Sequence, residues 1–105
     1  MNREVMTLAG STRFKDQFEE VDRMLTLNGS IVLSLSIFSK TEDKKYDHKT
    51  EKELFDLQLD KILMSSGLFV IDVGGYIGES TKKEIEFAVM NGKFIKYYSK
   101  EVEGK

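Results

Sequence analysis

Apolar and polar positions alternate along this chain in two different periods. Val5-Met6-Thr7-Leu8-Ala9 is a short, nearly continuous apolar run closed by Gly10, as expected of a strand covered on both faces. Phe14, Phe18, Val21 and Leu25 then recur at helical spacing as one amphipathic stripe, and Asn28-Gly29 suits a left-handed helix stop. Residues 30–36 read as a second strand, with Ile37-Phe38 extending its apolar character. The polar stretch 39–50 has no periodicity and reads as a loop long enough to be a lid or binding loop. From about Thr50 to Ser66, a second helix carries Leu54, Phe55, Leu57, Leu59, Ile62, Leu63 and Met64, more apolar positions than one face needs. Leu68-Phe69-Val70-Ile71 predicts a buried third strand. A third helix then runs to about Met90, with Ile85, Ala88 and Val89 inward, and residues 93–98 form a last strand. Residues 1–99 read as a single domain and residues 100–105 as a frayed tail.

Strands alternating with helices imply an α/β fold with right-handed crossovers. The expectation is a Rossmann-like (flavodoxin-like) three-layer sandwich, about four parallel strands in the order 2-1-3-4 with helices on both faces. That order puts a topological switch point between the first and third strands, where open α/β sheets bind ligands. Two loops flank it, residues 10–13 and residues 74–81.

Composition narrows the partners. A net charge of −2 and an isoelectric point near 5.5 argue against binding to a nucleic acid polymer, although a local anion site remains compatible. With no cysteine, disulfides and thiolate chemistry are excluded. No apolar run approaches the roughly 20 residues that span a bilayer, and Met1-Asn2-Arg3-Glu4 shows no signal-peptide anatomy. A cytoplasmic protein with no membrane partner is expected.

The first loop, Gly10-Ser11-Thr12-Arg13, brings backbone amides, two hydroxyls and an arginine to a helix start, which favours an anion. It lacks the Walker lysine and is not the dinucleotide fingerprint. The alternative is that Ser11 or Thr12 caps the helix and Arg13 is solvated. In the second loop, Gly74, Gly75 and Gly78 permit close backbone approach, Ser80 or Thr81 can cap a helix, and Tyr76 can cover a ring-shaped ligand. Three acids follow: Glu79, Glu84 and Glu86. Glu84 stands out because it lies one turn before the small Ala88, whereas Glu86 projects about 200° around the helix and faces solvent. Asp72 should point into the crevice, as a catalytic acid or as a hydrogen-bond partner of the glycine loop. His48 is the lone histidine and reads as a solvated loop residue; it can make no metal site, and no base is at hand for a serine nucleophile.

Taken together, Leu8-Ala9-Gly10-Ser11-Thr12-Arg13, Gly78-Glu79-Ser80 ahead of Glu84-Ile85-Glu86-Phe87-Ala88, and Asn91-Gly92-Lys93 resemble the nucleoside 2-deoxyribosyltransferase superfamily. The closer branch is the 2′-deoxynucleoside 5′-phosphate N-hydrolases, with small phage and bacterial relatives. The resemblance implies an N-glycosidase, hydrolase or transferase, acting on a small-molecule deoxynucleoside or nucleotide without a cofactor. By position, Glu84 takes the place of the nucleophile. Gly10, Ser11, Thr12 and Arg13 fall on the loop that binds the 5′-phosphate, and Gly78 and Ser80 on a second phosphate-facing loop. Asp72 and Glu79 are the acids available to protonate the leaving base, and Gly75, Tyr76 and Gln58 join the substrate-binding set. Gln58 occupies a position that holds an aspartate in the hydrolase branch, Thr7 stands where the family often has a tyrosine, and Ser66 replaces an aspartate. The family assembles as dimers or larger, which agrees with the surplus apolar surface on the second helix. Two rivals stand beside this expectation: a non-catalytic nucleotide-binding sensor using the same crevice, and an interaction protein with the second helix as its working surface.

Overall fold

The computed structural model describes residues 3–35 and 46–104. Most of the expected long loop, and the Ile37-Phe38 extension of the second strand, lie outside the described residues. The elements run β1 (Val5–Gly10), a 3-10 turn (Thr12–Phe14), α1 (Lys15–Leu27), β2 (Ile31–Leu33), α2 (His48–Leu63), β3 (Gly67–Ile71), a second 3-10 turn (Val73–Gly75), α3 (Glu79–Met90), β4 (Phe94–Tyr97) and α4 (Tyr98–Glu101). The four strands form one sheet in the order β2-β1-β3-β4, and every pairing is parallel. Register runs from Met6 opposite Gly67 to Gly10 opposite Ile71 at the centre.

Strand side chains alternate between faces, and each face finds a helical layer. Met6, Leu8, Phe69 and Ile71 pack with Phe18, Val21 and Leu25 of α1 and with Tyr98. Ala9, Leu68 and Val70 pack on the other face with Ile62 of α2 and Ala88 of α3. Burial on both sides is why β3 reads as an unbroken apolar run and β1 as one broken only by Thr7. The result is the expected three-layer Rossmann-like fold. Among the described residues, no helix is long and apolar enough to cross a membrane.

Several boundaries move for local reasons. Asp47 accepts a hydrogen bond from the Thr50 amide at 2.7 Å, which holds its carboxyl below the usual value and starts α2 early. His48 is therefore the exposed first residue of a helix. Gly78, not Ser80 or Thr81, stands at the N-cap of α3, and Val89 is exposed rather than inward. The expected fraying from residue 100 does not occur: α4 forms, Val102 packs on the α1-side core, and Glu103 accepts from the Gly74 amide at 3.1 Å. The Tyr98 hydroxyl donates to Glu20 on α1 at 2.6 Å, and that bond pushes the phenol up to about 12. Leu57 and Leu63 of α2 and Met64 at its C-cap remain exposed.

At Gly10, β3 leaves no room beside β1 for a side chain. A Cβ there would lie 2.7 Å from the Ile71 carbonyl oxygen and 3.0 Å from the Ile71 Cβ, neither of which can swing aside. Gly10→Ala is expected to lower folding stability by roughly 1–3 kcal/mol, read as a lower urea midpoint.

Candidate functional site

Because β1 and β3 are parallel neighbours, the loops that leave them emerge at the same edge of the sheet. After β1, the Ser11 hydroxyl accepts from the Arg13 amide at 3.3 Å and from Arg13 Nε at 3.1 Å, so Ser11 caps the turn that leads into α1. After β3, Gly74 and Gly75 adopt positive φ and turn the chain toward α3, which begins without a side-chain cap. Among the described residues, its first-turn amides thus meet no side-chain cap.

Two adjoining cavities fill the cleft and share Gly10, Thr12, Glu51, Ser80 and Glu84 in their walls. The smaller one, about 190 Å³, adds Leu35, Leu54, Phe55 and Gln58. The larger one, about 350 Å³, adds Ser11, Tyr76, Gly78, Glu79 and Thr81. One is mainly apolar in its additional walls, the other rich in hydroxyls and backbone.

Glu84 is 7% exposed and accepts from Gln58 Nε2 at 3.0 Å. Burial pushes its carboxyl up from 4.5 to about 7, against the Gln58 hydrogen bond, which pulls the other way. The same Nε2 donates to the Leu8 carbonyl at 2.8 Å, while Gln58 Oε1 is buried with no hydrogen-bond partner among the described residues. Glu79, at the start of α3, is exposed and pairs with Lys82 at 3.3 Å.

Asp72 does not point into the crevice. Its backbone leaves the extended conformation (φ −110°, ψ 65°), which ends the strand alternation and turns the carboxylate toward α4. There its two oxygens accept from Ser99, from the amide at 2.8 Å and from the hydroxyl at 2.7 Å. It lines neither cavity and serves as the anchor of α4, not of the glycine loop. Gly75 also lies outside both cavity walls, exposed on its turn. Arg13 sits at the rim: its guanidinium carbon is 4.4 Å from the Tyr76 ring centroid, and Nη2 lies 3.4 Å from the Tyr76 hydroxyl. Phe14 meets the same ring edge-on at 6.1 Å. Gly10, Ser11, Thr12, Tyr76, Gly78, Glu79, Ser80, Glu84 and Gln58 are the expected residues that the fold brings together.

Glu51, Leu54 and Phe55 were not expected here. Together with Gln58 they follow the i, i+3, i+4, i+7 spacing of one helix face, and that spacing was the available signal. Thr7 and Ser66 serve the frame instead. The Thr7 hydroxyl is bonded to Ser65 Oγ and, at 3.0 Å, to the Lys61 carbonyl, and Ser66 Oγ accepts from the Val5 amide. Among the described residues, no group of three or more acids or histidines is placed to hold a metal ion.

Folded Glu84 keeps its proton to about pH 7, whereas the unfolded group releases it near 4.5. Between those values the folded chain binds more protons, so stability falls as pH rises through this window and stays lower above it, by roughly 3 kcal/mol. Glu84→Gln is expected to be more stable than the parent at pH 8, with the advantage vanishing towards pH 4.5, as measured by urea unfolding. Asp72→Ala is expected to cost roughly 1.5–3 kcal/mol and to leave the Glu84 titration where it was. No family model matches this chain, and a search of curated proteins finds no match to it.

Proposed function

We propose that this chain cleaves, or transfers across, the N-glycosidic bond of a 2′-deoxynucleoside carried as its 5′-monophosphate, with Glu84 as the nucleophile. One arrangement supports this most: a buried carboxyl in the wall of a cleft it shares with the hydroxyl-bearing loop after β1 and the uncapped start of α3. The larger cavity would take the phosphate on Ser11, Thr12, Ser80 and free amides. The smaller cavity would take the base against Leu54 and Phe55, which leaves the sugar beside Glu84.

Ionised Glu84 attacks the anomeric carbon as the C–N bond breaks, and the bonding pair leaves with the base. The base takes a proton from an acid in the cleft. Glu51 and Glu79 are the carboxyls in its walls, Asp72 being committed to Ser99. Water then adds to the anomeric carbon of the glycosyl ester, expels Glu84 and returns a proton to the acid. A second base in place of water makes the reaction a transfer. Phosphate contacts, remote from the bond that breaks, hold the sugar in line. The chemistry draws on no cofactor, and a homodimer through Leu57, Leu63 and Met64 belongs to the same proposal, as does a cytoplasmic setting.

A non-catalytic nucleotide-binding module is the alternative, favoured by the amide of Gln58 beside Glu84 and by the withdrawal of Asp72 from the cleft. Incubation with a panel of deoxynucleosides and their 5′-monophosphates, followed by chromatography for free base, separates the two. Base release should depend on the phosphate and fall by roughly 10³-fold or more in Glu84→Ala. In the parent protein kcat/KM should pass through a maximum as pH rises, since the ionised Glu84 attacks and a protonated acid serves the leaving base. Nucleotide binding that survives Glu84→Gln, with no base released by the parent protein, would establish the sensor instead.

A further inference from the structure

A side-chain amide has two ends of nearly the same shape and opposite hydrogen-bonding character. At Gln58 the surroundings choose between them. The Leu8 carbonyl, within β1, can only accept, so the Nε2 end must face it. That orientation also carries Nε2 to Glu84 Oε1 and leaves Oε1 buried and unpaired. Turning the amide over would set two acceptors against each other at Leu8 and would strand Nε2 instead.

We infer that Gln58 is a positioning residue for Glu84: the Leu8 carbonyl fixes which end of the amide meets the carboxyl, and the N–H so presented favours its charged form and holds it in the wall of the cleft. A flipped amide would present an acceptor and favour the neutral acid. The charged groups packed around Glu84 do not do this work. From α2, Glu51 faces the same cleft and carries the wrong sign, while Lys61 turns its ammonium to the Ser34 carbonyl. From α3, Glu79 lines the larger cavity and Lys82 is drawn to it; Lys83 is exposed. Arg13 lies on Tyr76, and β1 contributes no charge. Among the described residues, none of the cavity walls carries a cation. Leaving a buried acceptor unpaired is destabilising, and a glutamine present only to fill space would not require it.

The purpose of this device rests on Glu84 acting as a nucleophile, but its existence does not, and it is tested without substrate. The full chain, labelled with ¹³C at glutamate side-chain carboxyls, is titrated by NMR, with Glu84 assigned by the signal missing in Glu84→Gln. The parent midpoint is expected at about 7. Gln58→Leu should raise it by about one to two pH units, and Gln58→Asn, whose shorter arm withdraws the amide, should move it the same way. The second variant serves if the first does not fold, judged by amide dispersion. A midpoint that stays put or falls in either folded variant overturns the inference. A raised midpoint in a protein that releases no base upholds the positioning role and removes only the glycosidase proposal.

Discussion

Two strands pressed together at a glycine govern the rest of the molecule. β1 and β3 pair from Met6–Gly67 to Gly10–Ile71, and at the last pair the Ile71 carbonyl occupies the space a side chain would need. Parallel pairing carries both chains out at the same edge, and the close approach brings their loops within one cleft. Helices on both faces follow from burying a sheet that has apolar side chains above and below. The cleft then inherits its contents from geometry: one loop from each strand, one helix start, and the flank of α2.

Much of this was legible because it depends on neighbouring residues. Continuous apolar runs gave β1 and β3, and helical spacing gave α1. The relation of Glu84 to Ala88 gave the inward acid, since both lie on the buried stripe of α3. What could not be read depends on contacts made across the fold. Asp72 looked like a cleft residue because it follows the last residue of the central strand at the edge where ligands bind, but its own backbone has already left the extended conformation. α4 has no periodic pattern of its own. It forms around Ser99, held by that same Asp72, so one misplaced carboxylate concealed both features. Glu51 was hidden by the way α2 lies over the sheet, which sets the part of its polar face that looks into the cleft. An acid in a first helical turn otherwise needs no explanation beyond the helix dipole.

The buried polar groups divide into two kinds. Thr7 and Ser65 fasten the end of α2 through the Lys61 carbonyl, and Asp72 fastens α4. In each case side-chain hydrogen bonds compensate for lost water and the fold gains a joint. Glu84 and Gln58 are different. Among the described residues, the carboxyl is buried with a single amide partner, and the amide keeps one end unsatisfied. Stability is given up where chemistry is proposed, as functional sites commonly require.

Arg13 carries a separate consequence. With its guanidinium laid against an aromatic face and its Nε on Ser11, it closes the rim of the cleft and is not among the residues of either wall. Any anion accepted there would be met chiefly by peptide dipoles and hydroxyls, whose attraction is short in range and partly shielded from solvent. Recognition of that kind discriminates by shape and tolerates ionic strength, whereas a surface of mobile lysines would attract many polyanions and release them as salt is added.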